Sequence, residues 1–265
     1  MNYATILSLE GILCLSFLSV TAAAQEVPWE QYMAAAQKAY KQADFAEAER
    51  FYLAALKEAE NFGDEDTRLA TSLNNLASVY LLQEKYDQAE RLYKRTLAIW
   101  EKALGPEHPS TATSLNNLGL LYGQQGRYDE AEPLFQRSLS TLEKALGPDH
   151  PDVATSLIHL ADLYRVQNEY VNPQPLYQRA LAIREKTLGA DHPKVATALG
   201  KLATLFDAEG RDEEAEQLYR RTLAIFERDQ GAKHPNVVQI VENYTAFLRK
   251  QNREAEAKRV EDRFR

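Results

Sequence analysis

The hydrophobic positions of the chain recur with the spacing of helices that each bury one face. Leu115, Leu118, Gly119 and Tyr122 fall at i, i+3, i+4 and i+7, which places them on one side of a helix. A second stripe with helical spacing consists of Tyr128, Ala131, Leu134, Phe135, Ser138, Leu139 and Leu142. Gly126 lies between the two stripes and allows the chain to turn back. The pattern predicts an antiparallel pair of helices.

The helical pair recurs along the chain. The segments "TSLNNLASVY" (71–80), "TSLNNLGLLY" (113–122), "TSLIHLADLY" (155–164) and "TALGKLATLF" (197–206) begin 42 residues apart. A further unit lies upstream in a register one residue shorter, and "QIVENYTAFL" (239–248) is a weaker copy. We predict units at about 29–66, 67–108, 109–150, 151–192, 193–234 and 235–265, the last one shortened. Stacked neighbours must bury the apolar side that one pair leaves open.

These residues resemble a known repeat. Leu118-Gly119, Tyr122, Ala131 and Phe135 stand at the spacing of the tetratricopeptide-repeat signature, whose usual period is about 34 residues. The longer period, with "Leu-Gly-x-x-His-Pro" and "Leu-Asn-Asn-Leu", resembles kinesin light chains and their bacterial relatives. The resemblance covers about residues 29–265. It implies an all-α solenoid over 25–265, a right-handed superhelix of antiparallel helix pairs with about six repeats.

The fourth and fifth units depart from the signature. Pro173 replaces the signature alanine, so we expect the second helix of the fourth unit to begin late. Pro133 and Pro175 also fall early in second helices, and proline is tolerated in a first helical turn. Asp212 stands where other units have a tyrosine, which weakens the apolar contact of that pair.

Residues 1–24 have the pattern of a signal peptide. The apolar stretch Ile12–Val20 is too short to span a bilayer, and Ala22 and Ala24 supply the small residues of a cleavage site. We expect cleavage after Ala24, export to the periplasm or the cell exterior, and no stable membrane span in the mature chain. No Lys or Arg precedes the apolar stretch. This leaves open a cytoplasmic protein, or one anchored through an uncleaved N-terminal segment.

The net charge of the chain indicates which class of partner it binds. The chain carries 31 Lys and Arg against 39 Asp and Glu, a net charge of −8. Binding to nucleic acid requires basic residues that meet the phosphates. We therefore expect protein or peptide partners and no nucleic acid.

Four histidines are the first candidates for chemistry. His108, His150, His192 and His234 each precede a helix-starting residue, proline in every case, and lie 42 residues apart. Because proline favours the first helical position, the histidines are predicted helix N-caps. Stacked helices lie about 10 Å apart, whereas metal ligands lie about 2 Å from the ion. The sequence therefore predicts no metal site, and no motif indicates a cofactor or a catalytic residue.

The resemblance also implies a binding surface, because first helices of this family line a concave groove that binds peptides. Carried over by position, the groove residues are Asn74, Ser78, Asn116, Leu120, Ile158, Asp162, Arg165, Thr204 and Asp207. Asn75 and Asn117 lie beside them. The asparagines either bond the backbone of an extended peptide or bond neighbouring helices, since an amide both donates and accepts. The sequence leaves both alternatives open.

The sequence thus favours a non-catalytic scaffold that binds a protein or an extended peptide in its groove. One alternative is a structural spacer or assembly subunit joined through its ends. The polar segment "NREAEAKRVEDRFR" (252–265) weighs against it, because terminal repeats of solenoids carry such a polar cap. The other alternative is an enzyme, which a fold alone does not exclude.

Overall fold

The structure is a computed structural model that describes residues 28–167, 172–229 and 235–264. These residues form twelve α-helices, one short 3₁₀ helix (Glu60–Phe62) and no β-strand. The helices are α1 (Trp29–Lys41), α2 (Phe45–Ala59), α3 (Thr67–Leu82), α4 (Tyr86–Leu104), α5 (Pro109–Gln124), α6 (Tyr128–Leu146), α7 (Pro151–Gln167), α8 (Gln174–Leu188), α9 (Pro193–Ala208), α10 (Asp212–Asp229), α11 (Pro235–Lys250) and α12 (Glu254–Arg263). The predicted signal peptide, residues 1–24, lies outside the described residues.

The helices pack in consecutive antiparallel pairs. Each odd-numbered helix packs on the even-numbered helix that follows it, and each even-numbered helix packs on the next odd-numbered one. Tyr93, Tyr177 and Tyr219 are fully buried at equivalent places on α4, α8 and α10. The apolar side of each pair is therefore covered by its neighbours. The predicted all-α solenoid of tetratricopeptide type is confirmed.

Small residues let the two helices of a pair approach closely. A Cβ atom on Gly119 of α5 would lie 2.7 Å from Cε1 of Phe135 on α6. Ala131 of α6 is completely buried. The turn between these helices places Gly126 at a φ of 73°, which glycine adopts without the strain that other residues meet there.

A row of ion pairs links successive even-numbered helices. Arginines spaced by 42 residues each meet a glutamate on the preceding even-numbered helix. The pairs are Arg137–Glu101, Arg179–Glu143 and Arg221–Glu185, each at 2.6 Å, and Arg263–Glu227. Because these side chains are partly exposed, each pair contributes at most about 1 kcal/mol. They lie at equivalent places in successive repeats.

The departures from the signature have visible consequences. α8 begins at Gln174, four residues after the place equivalent to the start of α6 at Tyr128, so the prediction from Pro173 is confirmed. α10 begins at Asp212, where a tyrosine starts α4 and α6. Pro133 is the sixth residue of α6 and lies beyond its first turn. It lies early in the helix as expected, but the tolerance for proline in a first turn does not apply at this position, and α6 lacks one backbone hydrogen bond there.

Across the part of the chain that the structure describes, no helix combines the length and the apolar character needed to cross a bilayer.

The close approach of α5 and α6 generates a stability prediction. Ala131→Leu should lower the free energy of unfolding by roughly 1–3 kcal/mol, because no space remains for the larger side chain. Urea denaturation followed by circular dichroism measures the change. The matched control is Ala98→Leu, at an exposed position of α4, which should leave the midpoint nearly unchanged. Equal midpoints for wild type and Ala131→Leu would contradict the described packing.

Candidate functional site: the groove along the odd-numbered helices

The histidines act as helix N-caps. The Nδ1 atoms of His108, His150 and His192 each accept a hydrogen bond from the backbone N–H two residues on, which confirms that prediction for these three. The donors are Ser110, Asp152 and Lys194, at 3.1, 3.2 and 3.1 Å respectively. His234 lies outside the described residues. Within the described ranges, no three His, Cys, Asp or Glu side chains come together as ligands of a metal ion. The absence of a metal site in the whole chain stays a prediction.

The asparagines of the first groove half bond to one another across the stack. Asn117 on α5 donates from Nδ2 to Oδ1 of Asn74 on α3 at 2.8 Å, and Asn74 donates to Asn75 at 3.3 Å. Ser78 donates to the backbone carbonyl of Asn74 at 3.0 Å and lies 3.0 Å from the hydroxyl of Tyr93. Of the two alternatives for these amides, the structure shows the bond between neighbouring helices.

Two predicted groove residues are buried. Asn116 and Ile158 are 6% and 5% exposed, so their assignment to an accessible groove surface needs correction. Asn116 turns into the junction between α5 and α7, where its Nδ2 donates to Oγ of Ser156 at 2.7 Å. Ile158 packs in the hydrophobic core of the second half of the chain. Leu120 is half-buried and packs against the core of the first half.

The second groove half carries charged and hydroxyl groups. Asp162 on α7 accepts from the hydroxyl of Tyr177 at 2.5 Å and from Nζ of Lys201 at 2.9 Å. Burial, followed by the neighbouring Asp162 carboxylate, raises the pKa of Tyr177, so this hydroxyl stays a donor. Thr204 accepts from Nδ2 of Asn243 at 3.3 Å. Asp207, the last predicted residue, accepts from Nζ of Lys250 at 3.0 Å.

A pocket of about 450 Å³ opens in this second half, between α9 and α11. It brings together Arg165 and Thr204, which the sequence predicted as groove residues, with seven residues that it did not. The additional lining residues are Thr197, Gly200, Lys201, Phe226, Gln239, Ile240 and Asn243. One sequence signal for the pocket existed. Gly200 occupies the place of Asn74 and Asn116 in the 42-residue repeat, so a side chain is missing there.

The second cleft, of about 370 Å³, lies between α10, α11 and α12. Two of its three arginines pair with carboxylates: Arg220 pairs with Glu216 at 2.6 Å, and Arg263 pairs with Glu227. It contains no residue that the sequence placed in the groove. The pocket between α9 and α11 is therefore the stronger candidate for a binding site.

His159 breaks the row of amide contacts along the groove. It occupies the place of Asn117, and Asn116 occupies the place of Asn74. The Asn74–Asn117 bond has no counterpart here. The Nδ1 atom of His159 and the Oδ1 atom of Asn116 are both buried, with no hydrogen-bond partner among the described residues. The ring instead lies against Phe135, with centroids 5.6 Å apart.

The surroundings of His159 disfavour its protonated form. Burial lowers the pKa of His159 to about 4, against an ordinary value of 6.5. The Asp162 carboxylate opposes this shift, and the positive charges of Lys201 and Arg184 reinforce it. The imidazole is therefore neutral in the folded protein at neutral pH.

Sequence models of a single family cover most of the chain. A tetratricopeptide-repeat model matches residues 32–101, 68–144, 123–171 and 174–228, and a second model of the same repeat matches 153–194. The chain belongs to the tetratricopeptide-repeat family. No curated protein sequence matches this tetratricopeptide-repeat chain.

Three solved structures illustrate the shared fold. BtubC (BKLC) from P. vanneervenii has a TM-score of 0.67 and 20% identity, covering 90% of both chains. A putative kinesin light chain of Podosopora anserina with nearly identical TPR-like repeats has a TM-score of 0.60 and 26% identity, covering 76% of this chain and 96% of that one. A Rap protein complexed with Competence and Sporulation Factor has a TM-score of 0.68 and 14% identity, covering 89% of this chain and 73% of that one. The predicted similarity of these tetratricopeptide repeats to kinesin light chains is confirmed.

The unpaired His159 generates a pH prediction. Between pH 6.5 and pH 4 the unfolded chain binds a proton at this residue that the folded chain does not, so His159 makes stability fall as the pH falls. His159→Asn removes this effect. Between pH 7 and pH 4.5 the wild type should lose about 2 kcal/mol more stability than the variant. Urea denaturation at both pH values measures the difference.

The reciprocal variant serves as the control for His159→Asn. Asn117→His at the preceding junction removes the bond to Asn74 and should lower stability at neutral pH by about 1 kcal/mol. If His159→Asn and the wild type lose the same stability on acidification, the described environment of the imidazole is contradicted.

Proposed function

We propose that this protein is a non-catalytic interaction scaffold that binds an extended segment of a partner protein in the groove formed by α7, α9 and α11. Tetratricopeptide-repeat proteins are generally scaffolds of this kind. One structural relative, the Rap protein, was solved in complex with Competence and Sporulation Factor. Both facts support protein recognition as the class of function.

The pocket between α9 and α11 carries the proposal. Gln239 and Asn243 line it with amide groups. Nε2 of Gln239 donates to Oδ1 of Asn243 at 3.1 Å, and Nδ2 of Asn243 donates to Thr204. Because each amide nitrogen carries two hydrogens, one N–H of each remains to donate to the C=O groups that an extended segment leaves unpaired. Arg165 and Lys201 bring two positive charges, of which the Asp162 carboxylate offsets one. The groove is therefore cationic at this place although the chain as a whole carries −8. We infer that the bound segment is acidic.

The exposed face of α12 supports this function over assembly through that face. The exposed face of α12 contains Lys258, Arg259 and Arg263 and no large apolar side chain. A face of this kind suits contact with water better than stacking on a further repeat. The ionisable groups of the groove that have partners are engaged in pairs between helices, as Asp162 is with Lys201. This arrangement favours a binding surface over a catalytic site.

A defined peptide library tests the proposal. The probe is a library of random nonapeptides, acetylated and amidated so that no terminal charge contributes. The wild-type protein should retain peptides rich in Asp and Glu, and fluorescence anisotropy then measures the affinity of individual members. Arg165→Gln with Lys201→Gln should weaken binding about tenfold or more, because hydrogen bonds to charged groups are lost.

The matched control removes two positive charges elsewhere. Arg91→Gln with Arg95→Gln changes exposed residues of α4 and should leave the affinity unchanged. Circular dichroism melting establishes that both double variants are folded. Failure of the wild type to bind any library member would overturn peptide recognition in the groove. Equal binding by wild type and the groove variant would overturn this location for the site.

We propose in addition that the chain is exported and that its signal peptide is removed. The support is the apolar stretch Ile12–Val20 followed by Ala22 and Ala24. Expression in an export-competent bacterium, followed by N-terminal sequencing, should give a mature protein that begins at Gln25. A soluble cytoplasmic product that retains Met1 would contradict export.

A further inference from the structure

One helical position at the pocket in the groove lacks a side chain. Gly200 lies on α9 at the place that Asn74 occupies on α3 and Asn116 on α5. On α7 the equivalent residue is Ile158, and both Asn116 and Ile158 are buried. At Gly200 the end of the Ile240 side chain lies against the helix instead, and both residues line the pocket of about 450 Å³.

The immediate surroundings of Gly200 show what a side chain there would do. A Cβ atom would lie 2.6 Å from Cδ1 of Ile240 and 3.7 Å from Cγ2 of Thr222. The first distance is far below contact, so any larger residue must displace the end of the Ile240 side chain. Because Ile240 itself lines the pocket, the new side chain and the displaced one would both occupy the pocket volume.

The pocket has an apolar base and a polar rim. Phe226 and Ile240 lie at the base, and each is less than 8% exposed. Thr197 and Thr204 supply hydroxyl groups along α9, and Asn243 supplies an amide from α11. A small number of polar groups around apolar walls is the arrangement that fixes and orients a bound group in ligand pockets.

We propose that Gly200 determines the specificity of the groove by letting Ile240 lie against α9, which keeps a pocket open for one large apolar side chain of the bound segment. The inference rests on the proposed function, because it assigns a subsite within the same groove. The acidic character of the segment accounts for its attraction to Arg165 and Lys201. The pocket adds the requirement for an apolar residue at one fixed position, which sets the register of the segment along α9 and α11.

The size of the effect follows from burial of the apolar side chain. Moving a large aliphatic or aromatic side chain from water into an apolar site strengthens binding by about tenfold or more. Replacing the apolar side chain of the peptide by alanine, or filling the pocket, should each abolish this gain in affinity. Making both changes should weaken binding no more than either change alone. Two changes with unrelated effects would instead add up, so the comparison identifies a specific subsite.

The experiment is a double-mutant cycle on one peptide. The tightest acidic nonapeptide from the library is synthesised with each residue in turn replaced by alanine. One apolar position should stand out, with wild-type affinity falling about tenfold or more. Gly200→Asn, which introduces the residue found in α3 and α5, should weaken the parent peptide to a similar extent. The same variant should bind the alanine version of the peptide as the wild type does.

A second variant and a control accompany Gly200→Asn. Thr197→Leu fills the same pocket from its rim without altering the contact of Gly200 with Ile240, and should reproduce the loss. Gly123→Ala changes a half-buried glycine of α5, at the place that Arg165 occupies on α7, where nothing lies within 4 Å of the added Cβ. It should leave the affinity unchanged. Circular dichroism melting identifies any variant that fails to fold.

The possible outcomes test the pocket at Gly200 separately from peptide binding in the groove. If acidic peptides bind but no apolar position matters, or if Gly200→Asn and Thr197→Leu weaken the parent and alanine peptides equally, the role of Gly200 is overturned and the groove remains the binding site. If no library peptide binds the wild type, the subsite and the proposed function fall together.

Discussion

Every helical pair in this protein leaves an apolar side that only the next pair covers. This constraint makes the architecture one-dimensional, because each pair contacts its neighbours in sequence and little else. Gly119 and Ala131 make the pair itself compact, and contacts such as the stacking of Tyr219 on Tyr244 of α11, with ring centroids 5.3 Å apart, join one pair to the next. The polar residues at the junctions are arranged around this need, so the groove is a product of the stacking and not an independent feature.

The stacking also decides which groove residues are available to a partner. Asn74, Asn116 and Asn117 use their amides to join neighbouring helices, so the first half of the groove has less hydrogen-bonding capacity than its composition suggests. In the second half, Gly200 removes a side chain and Lys201 brings a charge. The two halves share the same arrangement of helices, and the proposed recognition site lies where the repeat departs from its own pattern.

The helical periodicity of the sequence was enough to predict most of the fold, but it did not show which way each groove residue points. The spacing of Leu118, Gly119 and Tyr122 sufficed for the helical pairs, and Pro173 sufficed for the late start of α8. Neighbouring residues on a helix point in directions about 100° apart. The sequence does not show which of two neighbours faces the adjacent helices, so it did not distinguish the buried Asn116 from the half-buried Asn117. The pocket needed Gly200 and Ile240, 40 residues apart in sequence, to be seen together. Predicting the ion pairs between even-numbered helices likewise requires knowing which residues of successive helices face each other.

The ion pairs between helices make part of the stacking sensitive to the medium. Arg137–Glu101 and its equivalents join the even-numbered helices through partly exposed charges, whose attraction dissolved salt screens. The odd-numbered helices are joined by neutral amide contacts in the first half of the groove and by the ion pairs Lys201–Asp162 and Lys250–Asp207 in the second half. Added salt therefore weakens contacts of both layers in the second half, whereas in the first half it weakens those of the even-numbered helices. The two halves of the groove consequently differ in which contacts weaken as the ionic strength rises.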